Sequence, residues 1–338
     1  MNPYSFGILE PIMQVLKERN YDYIWYVRGK VIGKFPFKEE KVTTNISEII
    51  DFKSDALFVP GIEAPHFLRG VKVQTFHGFA GEKKGHFRIR KYFDLYLTQG
   101  PFFTRNFIRL REKYKNFEVV ETGWPKLDIY GKKSHKFDND KKLLLQEYNA
   151  ERIILFSPTF SPSLTCAPFL ENQLEDLATN KSYLIIIKFH DLMSLELINK
   201  YKKFAGKNSN VLFVDERNII KYLLISDLMI SDTSSAVYEF LLLDKPVITF
   251  KNNSKFFKWD NSLTYDKLSE KVEINLSKDP FKNQRKEIFN EYHPYNDGQS
   301  AKRMVDAVED YIEKYGVPEK REIPWLRRYK MNKIFGKF

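Results

Sequence analysis

The stretch "DLMISDTSSAVYEFLLLDKPVITF", Asp227 to Phe250, decides the fold. An apolar run ending at Ile230 gives way to Ser231, Asp232, Thr233, Ser234 and Ser235. Val237, Phe240 and Leu241 follow at helical spacing, and then a second β-rich run, "KPVITF". Strand, polar junction, helix and strand in that order make one turn of an α/β winding. The same alternation surrounds it: "ERIILFSP" (151–158), "YLIIIKFH" (183–190) and "NVLFVDE" (210–216) are further β-rich runs with helical stretches between them. Near-continuous apolar strands alternating with helices imply a parallel sheet covered on both faces.

The first half repeats the pattern less cleanly. "YDYIWYV" (21–27), "ALFVP" (56–60), "VKVQTF" (71–76), "DLYLTQ" (94–99) and "FEVVETG" (117–123) read as strands, and "GILEPIMQVLKER" (7–19) and "PFFTRNFIRLREKY" (101–114) as helices. A polar stretch, "GKKSHKFDNDKK" (131–142), breaks the alternation and suggests a boundary near residue 150. With 338 residues the chain exceeds what a single core usually supports, so two Rossmann-like α/β domains facing each other across a cleft are expected. These are residues 1–150 and 151–315, followed by a basic amphipathic tail, 316–338.

Composition narrows the function. Apolar content of 43% with 29% charged residues, and no apolar stretch of spanning length, exclude a transmembrane helix. The amino-terminal stretch lacks signal-peptide character, and a single cysteine, Cys166, excludes an internal disulfide, so a cytoplasmic location is expected. Net charge of +11 calls for a polyanionic neighbour. From Glu319 to Phe338 seven Lys or Arg face two Glu and are interleaved with Trp325, Leu326, Tyr329, Ile334 and Phe335, a composition suited to an anionic membrane surface. A solvated basic tail or a strap packed on the body is the plainer alternative. No nucleic-acid-binding signature is present, and the six histidines lack paired ligand spacing, so neither nucleic acid nor a metal is expected.

In open parallel sheets ligands bind beyond the carboxyl ends of the strands. Polar residues gather there in the second half: Ser157, Thr159 and Ser161, then Lys188 and His190, then Asp215 and Glu216, then Ser231 to Ser235. Small hydroxyl residues leading into a helix suit an anion, although Ser, Thr and Asp also cap helices with no ligand.

Six motifs in order, "TFHG" (75–78), "GWPKLD" (123–128), "FSPTF" (156–160), "KFHD" (188–191), "ISDTSSAVYEFLLLDKPVITF" (230–250) and "YNDGQSAKRMVDAV" (295–308), resemble the CDP-glycerol glycerophosphotransferase family of teichoic-acid primases and polymerases. The resemblance covers roughly residues 55–310. It implies a GT-B-like architecture, with the acceptor in the first domain and the nucleotide in the second. It implies transfer of glycerol phosphate or a related polyol phosphate from a CDP-activated donor to a hydroxyl of a lipid-linked or polymeric cell-envelope glycan, with release of CMP. No cofactor beyond the donor substrate is implied. Carried over by residue, it makes His77 the general base and His190 the group that stabilises the leaving pyrophosphate. Ser231, Thr233, Ser234, Ser235 and Thr159 become nucleotide and phosphate ligands, together with Asp232, whose other role is to tighten the loop or orient His190, and Lys188, which strand alternation points to the other face; Glu239, one turn beyond Ser235, becomes a ligand of the ribose hydroxyls.

The chain also departs from the pattern. Asp191 stands where the family has proline, Ser161 where it often has arginine, and "FAGEKKGHFRIRK" brings Lys83, Lys84, Arg88, Arg90 and Lys91 in place of its Thr-Pro-x-Lys. GT-B domains usually open with a strand before the first helix, where this chain has "NPYSFG". A GT-B glycosyltransferase using a nucleotide sugar, or an inactive glycan-binding relative, remains an alternative reading.

Overall fold

The structure, a computed structural model, describes residues 3–79, 86–216, 218–252 and 258–336, so Lys83 and Lys84 lie outside it. It divides into two compact units: unit 1, Met1–Lys133 with Glu291–Phe338, and unit 2, Ser134–Asn290. The boundaries at 150 and 315 are therefore corrected. The polar stretch after residue 131 opens unit 2, where Lys141 reaches Asp227 at 2.6 Å and Lys221 reaches Asp140 at 2.6 Å. The helix Ser300–Tyr315 returns to unit 1, its Ala301, Met304, Val305 and Val308 packing with Leu9, Ile12, Val71 and Val73. An amphipathic stripe reads clearly in a sequence, but nothing in it says which sheet it will cover.

Unit 1 contains β1 (Trp25–Tyr26), β2 (Val42–Thr43), β3 (Ala56–Val59), β4 (Val71–Gln74), β5 (Leu95–Thr98) and β6 (Glu118–Glu121). β1 and β2 form a parallel pair, and β3-β4-β5-β6 form a parallel sheet in chain order. Strand alternation sorts β5: Leu95 and Leu97 join the cluster under the helices Ser5–Glu18 and Ser300–Tyr315, while Tyr96 joins Phe107 and Phe117 on the other face. "NPYSFG" is not a strand, since the first helix begins at Ser5.

The C-terminal segment is part of unit 1 rather than a separate tail. Arg321 pairs with Asp94 and donates to the carbonyls of Lys91 (2.8 Å) and Asn116 (2.6 Å). In the helix Trp325–Phe335, Met331 is fully buried against the same face as Tyr96, and Ile334 and Phe335 are partly buried beside it. Trp325, Leu326 and Tyr329 are exposed at 75%, 62% and 69%.

Unit 2 holds β7 (Arg152–Phe156), β8 (Tyr183–Lys188), β9 (Val211–Val214), β10 (Leu228–Ser231), β11 (Val247–Phe250) and β12 (Asp260–Ser262). All are parallel, in the order β12-β11-β10-β7-β8-β9. Ile153 to Phe156 and Leu184 to Ile187 are wholly buried, as both-face coverage requires. The strand order reverses direction between β7 and β10, which creates a crevice at their carboxyl ends. β12 was not legible, because Asp260, Asn261 and Ser262 carry no β signal; pairing of Ile248 with Asp260 imposes the conformation.

Candidate active site

The crevice of unit 2 lies between the loop after β7 and the loop after β10, and hydrogen bonds tie the two together. Ser231 Oγ donates to the Ser157 carbonyl at 2.7 Å. Asp232 is fully buried; its Oδ1 accepts from the Thr159 N–H and its Oδ2 from the Cys166 N–H, each at 2.9 Å. Asn252 Nδ2 donates to the Asp232 carbonyl at 2.7 Å. Burial pushes the Asp232 carboxyl upward, and the two N–H donors oppose that shift. The structure thus places Asp232 and Ser231 as the fastening of the crevice rather than on its open side, with the Thr159 N–H spent on that fastening. Cys166 is fully buried and its thiol is pushed up chiefly by burial, the setting of an inert thiol.

Thr233 and Ser234 are half-buried and Ser235 is exposed, so these three remain at the open end of the loop. Ser234 Oγ accepts from the Ala236 N–H at 3.3 Å. The helix that follows, Ala236–Leu241, has only 6 residues, so the anion-holding capacity expected of a helix start rests on the loop's own N–H and hydroxyl groups. Glu239 is buried one turn along it, on the same face as Ser235.

His190 follows β8. The Leu192 N–H donates to its Nδ1 at 3.1 Å, so the ring proton sits on Nε2, and Phe160 lies 4.5 Å from the ring. Partial desolvation of this otherwise exposed ring, with Lys188 nearby, lowers its pKa against the opposing pull of Asp191, which keeps the ring neutral and Nε2–H a donor. Lys188 is itself buried, and its ammonium turns back to the Phe189 carbonyl at 2.6 Å. Desolvation lowers its pKa, while Asp191, Asp215 and Glu216 raise it.

In unit 1, β4 ends at Gln74 and the chain turns sharply. Phe76 takes a left-handed backbone (φ 58°), a conformation that costs a bulky residue about 1–3 kcal/mol. Its ring packs 5.2 Å from His86 and 5.1 Å from Phe107, which offsets that cost. The turn leaves His77 exposed between buried Phe76 and Gly78. His77 Nδ1 lies 3.2 Å from the Pro60 carbonyl; a carbonyl can only accept, so Nδ1 carries the proton and, in the neutral ring, the lone pair lies on Nε2. Gln74 Nε2 donates to the carbonyls of Val59 (3.2 Å), Pro60 (3.3 Å) and Gly61 (2.8 Å), which fixes the acceptor that orients the histidine. Gln99 Nε2 holds the Gly78 carbonyl at 3.0 Å. Sequence reading passed over Gln74, Gln99 and Phe160; the one signal was a glutamine in the otherwise apolar strand "VKVQTF".

Two of the motifs build architecture. Asp128 of "GWPKLD" accepts from the N–H groups of Ser300 and Ala301, each at 2.8 Å, and so caps the helix Ser300–Tyr315. The Trp124 N–H donates to His293 Nε2 at 2.9 Å. Gly131 (φ 75°) has no room for a side chain, because a Cβ there would sit 1.7 Å from the Asn296 carbonyl oxygen.

The family model described as CDP-Glycerol:Poly(glycerophosphate) glycerophosphotransferase matches residues 69–310. The teichoic acid glycerol-phosphate primase of Bacillus subtilis is 25% identical over 232 residues, 64% of this chain and 58% of that protein. The teichoic acid ribitol-phosphate polymerase TarL of Staphylococcus aureus is 27% identical over 296 residues, 75% of this chain and 51% of that one. The chain thus spans between half and three-fifths of the length of these curated relatives. Among solved structures, the wall teichoic acid polymerase TagF superposes with a TM-score of 0.68 at 19% identity, covering 91% of this chain and 86% of that one. A UDP-N-acetylglucosamine 2-epimerase structure gives 0.58 at 14% identity, covering 96% of each chain. These likenesses establish a GT-B-like pair of Rossmann units. With the family model spanning most of the sequence, the chain belongs to the CDP-glycerol:poly(glycerophosphate) glycerophosphotransferase family.

Proposed function

We propose that this protein transfers glycerol phosphate, or a related polyol phosphate, from a CDP-activated donor to a hydroxyl of a lipid-linked or polymeric cell-envelope glycan. The observation that carries the reading is the opposite protonation of two histidines at strand carboxyl ends. His77 offers a lone pair at Nε2 and His190 offers an N–H there. His77 Nε2 takes the proton of the acceptor hydroxyl as its oxygen attacks the β-phosphorus, and the bond from that phosphorus to the CMP oxygen breaks. His190 Nε2–H, with the hydroxyls and N–H groups of Thr233, Ser234 and Ser235, donates to the phosphate oxygens that gain charge. Glu239 accepts from the ribose hydroxyls. Incubation with CDP-glycerol, CDP-ribitol and UDP-sugars, followed by chromatography of the released nucleotide, tests this. CMP release supports it, UDP release would make the protein a glycosyltransferase, and no release with any donor would leave a binding relative.

The acceptor's lipid linkage places the enzyme at the inner membrane surface in this reading. No helix among the described residues is long and apolar enough to cross a membrane. The exposed Trp325, Leu326 and Tyr329, with Arg328 and Lys333 beside them, support contact with an anionic leaflet. Each charge contributes up to about 1 kcal/mol. Trp325→Ser with Leu326→Ser should abolish sedimentation with anionic vesicles while CMP release on a soluble acceptor persists; undiminished sedimentation would remove the helix from the membrane reading.

A further inference from the structure

Two stretches of unit 1 that are far apart in the sequence bring their cations to one patch. Arg321 staples the C-terminal segment to the chain that enters β5, pairing with Asp94 and donating to the Lys91 carbonyl at 2.8 Å. On the helix that follows, the Arg327 guanidinium lies 5.9 Å from the ring of buried Tyr92. Arg90 and Arg327 are half-buried and Arg88 is exposed. Desolvation lowers the Arg90 pKa, Arg88 and Arg327 push it further the same way, and Glu63 is the one carboxylate that opposes them. Glu63 already pairs with Lys330. Among the described residues none of the three arginines has an ion pair; Arg90 Nη1 donates only to the Arg88 carbonyl, at 3.3 Å. Solvent screens such repulsion poorly at half-buried groups, so the patch lacks a counter-anion.

We propose that Arg88, Arg90 and Arg327 form an anion subsite of unit 1 that grips a phosphate group carried by the acceptor, whereas the phosphates of the donor belong to unit 2. A guanidinium is a planar fork of donors that matches phosphate oxygens in pairs and cannot be deprotonated near neutral pH. Three of them suit a phosphodiester or a diphosphate. An uncharged stretch of glycan would leave all three charges unmatched.

Position ties the patch to the acceptor. The His86 ring stacks 5.2 Å from that of Phe76, the neighbour of His77, and the Cα of Arg88, two residues on, lies within about 7 Å of that of His86. The patch therefore starts beside the base and continues to the helix Trp325–Phe335. An acceptor with its hydroxyl at His77 lays the rest of its chain this way, so the gripped phosphate sits behind the reacting end; this rests on His77 being the base. The helix also separates the phosphate of an acceptor from that of a lipid headgroup. Arg327 stands two residues from both Trp325 and Tyr329, about 200° around the helix, and one turn before buried Met331. It thus turns away from the exposed aromatics that suit a leaflet.

Calorimetry without any donor tests this, with a short soluble glycerol phosphate oligomer and an uncharged glycerol oligomer of equal length as probes. Arg88→Gln with Arg90→Gln and Arg327→Gln should weaken binding of the phosphate oligomer about tenfold or more and flatten its salt dependence. Binding of the uncharged oligomer and sedimentation with phosphatidylglycerol vesicles should stay as in the unaltered chain. Undiminished binding of the phosphate oligomer by the folded triple variant would overturn the proposal. If the triple variant does not fold, Arg88→Gln alone decides, because that side chain is exposed: a loss of about threefold supports the subsite and no loss overturns it. Loss of vesicle sedimentation with oligomer binding intact would assign the cluster to a lipid headgroup and so overturn the acceptor subsite. Oligomer binding that needs the three arginines in a protein that releases no nucleotide from any donor would sink the proposed reaction and support the subsite.

Discussion

The loop after β4 and the loop after β8 each end in an exposed histidine, and the protein sets them in opposite states. At His77 a carbonyl receives the Nδ1 proton, so Nε2 is a base; at His190 a backbone N–H points at Nδ1, so Nε2 is a donor. The difference shows that the residue type does not settle the role. A single backbone group, turned one way or the other, decides which ring nitrogen is bare.

The largest expected effect follows from the base. His77→Ala should lower turnover by about 10²–10⁴-fold while donor affinity, measured by calorimetry, stays near wild type. Turnover within tenfold would remove the first half of the comparison. His190→Ala should come next, with a loss of roughly 10²–10³-fold in kcat, as for removal of one donor to a developing oxyanion. A loss confined to KM in steady-state kinetics would make His190 a ground-state ligand only.

Two further histidines sharpen the contrast, since desolvation keeps both neutral in the folded chain down to about pH 4. Burial holds His86 and His293 at about 4. Between pH ~6.5 and ~4 the unfolded chain protonates them and the folded chain does not. The unfolded state then binds more protons, so stability falls as pH falls through that window, by up to about 1.4 kcal/mol per pH unit for each ring. Urea unfolding across the range should show this slope, and His293→Gln, which can still accept from Trp124, should reduce it. An unchanged slope would mean that other groups set the acid limit. The smallest effect belongs to the crevice fastening: Asp232→Asn turns an amide group toward a backbone N–H and should cost about 1–3 kcal/mol in stability, with weaker donor binding. Loss of donor binding at full stability would return Asp232 to the phosphate.

Much of this was legible. The five apolar runs of the second half are β7 to β11, and "PFFTRNFIRLREKY" coincides with the helix Pro101–Tyr114. The expected strand over Tyr21 to Val27 shortens to Trp25–Tyr26, because its one described partner, β2, is itself two residues long. What the sequence concealed was direction. It offered Asp232 as a residue that tightens the loop and Lys188 as one that points to the other face, but not which backbone groups, the Thr159 and Cys166 N–H and the Phe189 carbonyl, they would meet. It offered His77, but not the Phe76 strain that exposes it or the Gln74 amide behind it. In the C-terminal segment the aromatic and basic composition was plain, yet only packing separates buried Met331 from exposed Trp325.

The division of the chain bears on how the protein is made. Unit 2 is continuous, whereas the core of unit 1 needs both the helix Ser5–Glu18 and the helix Ser300–Tyr315. As synthesis proceeds from the amino end at about 5–20 residues per second, the middle of the chain has all its partners before the beginning does. For those seconds Leu9, Ile12, Val71 and Val73 await a helix still in the ribosome, so the earliest-made half of the molecule is the last to be completed and the one most in need of a chaperone.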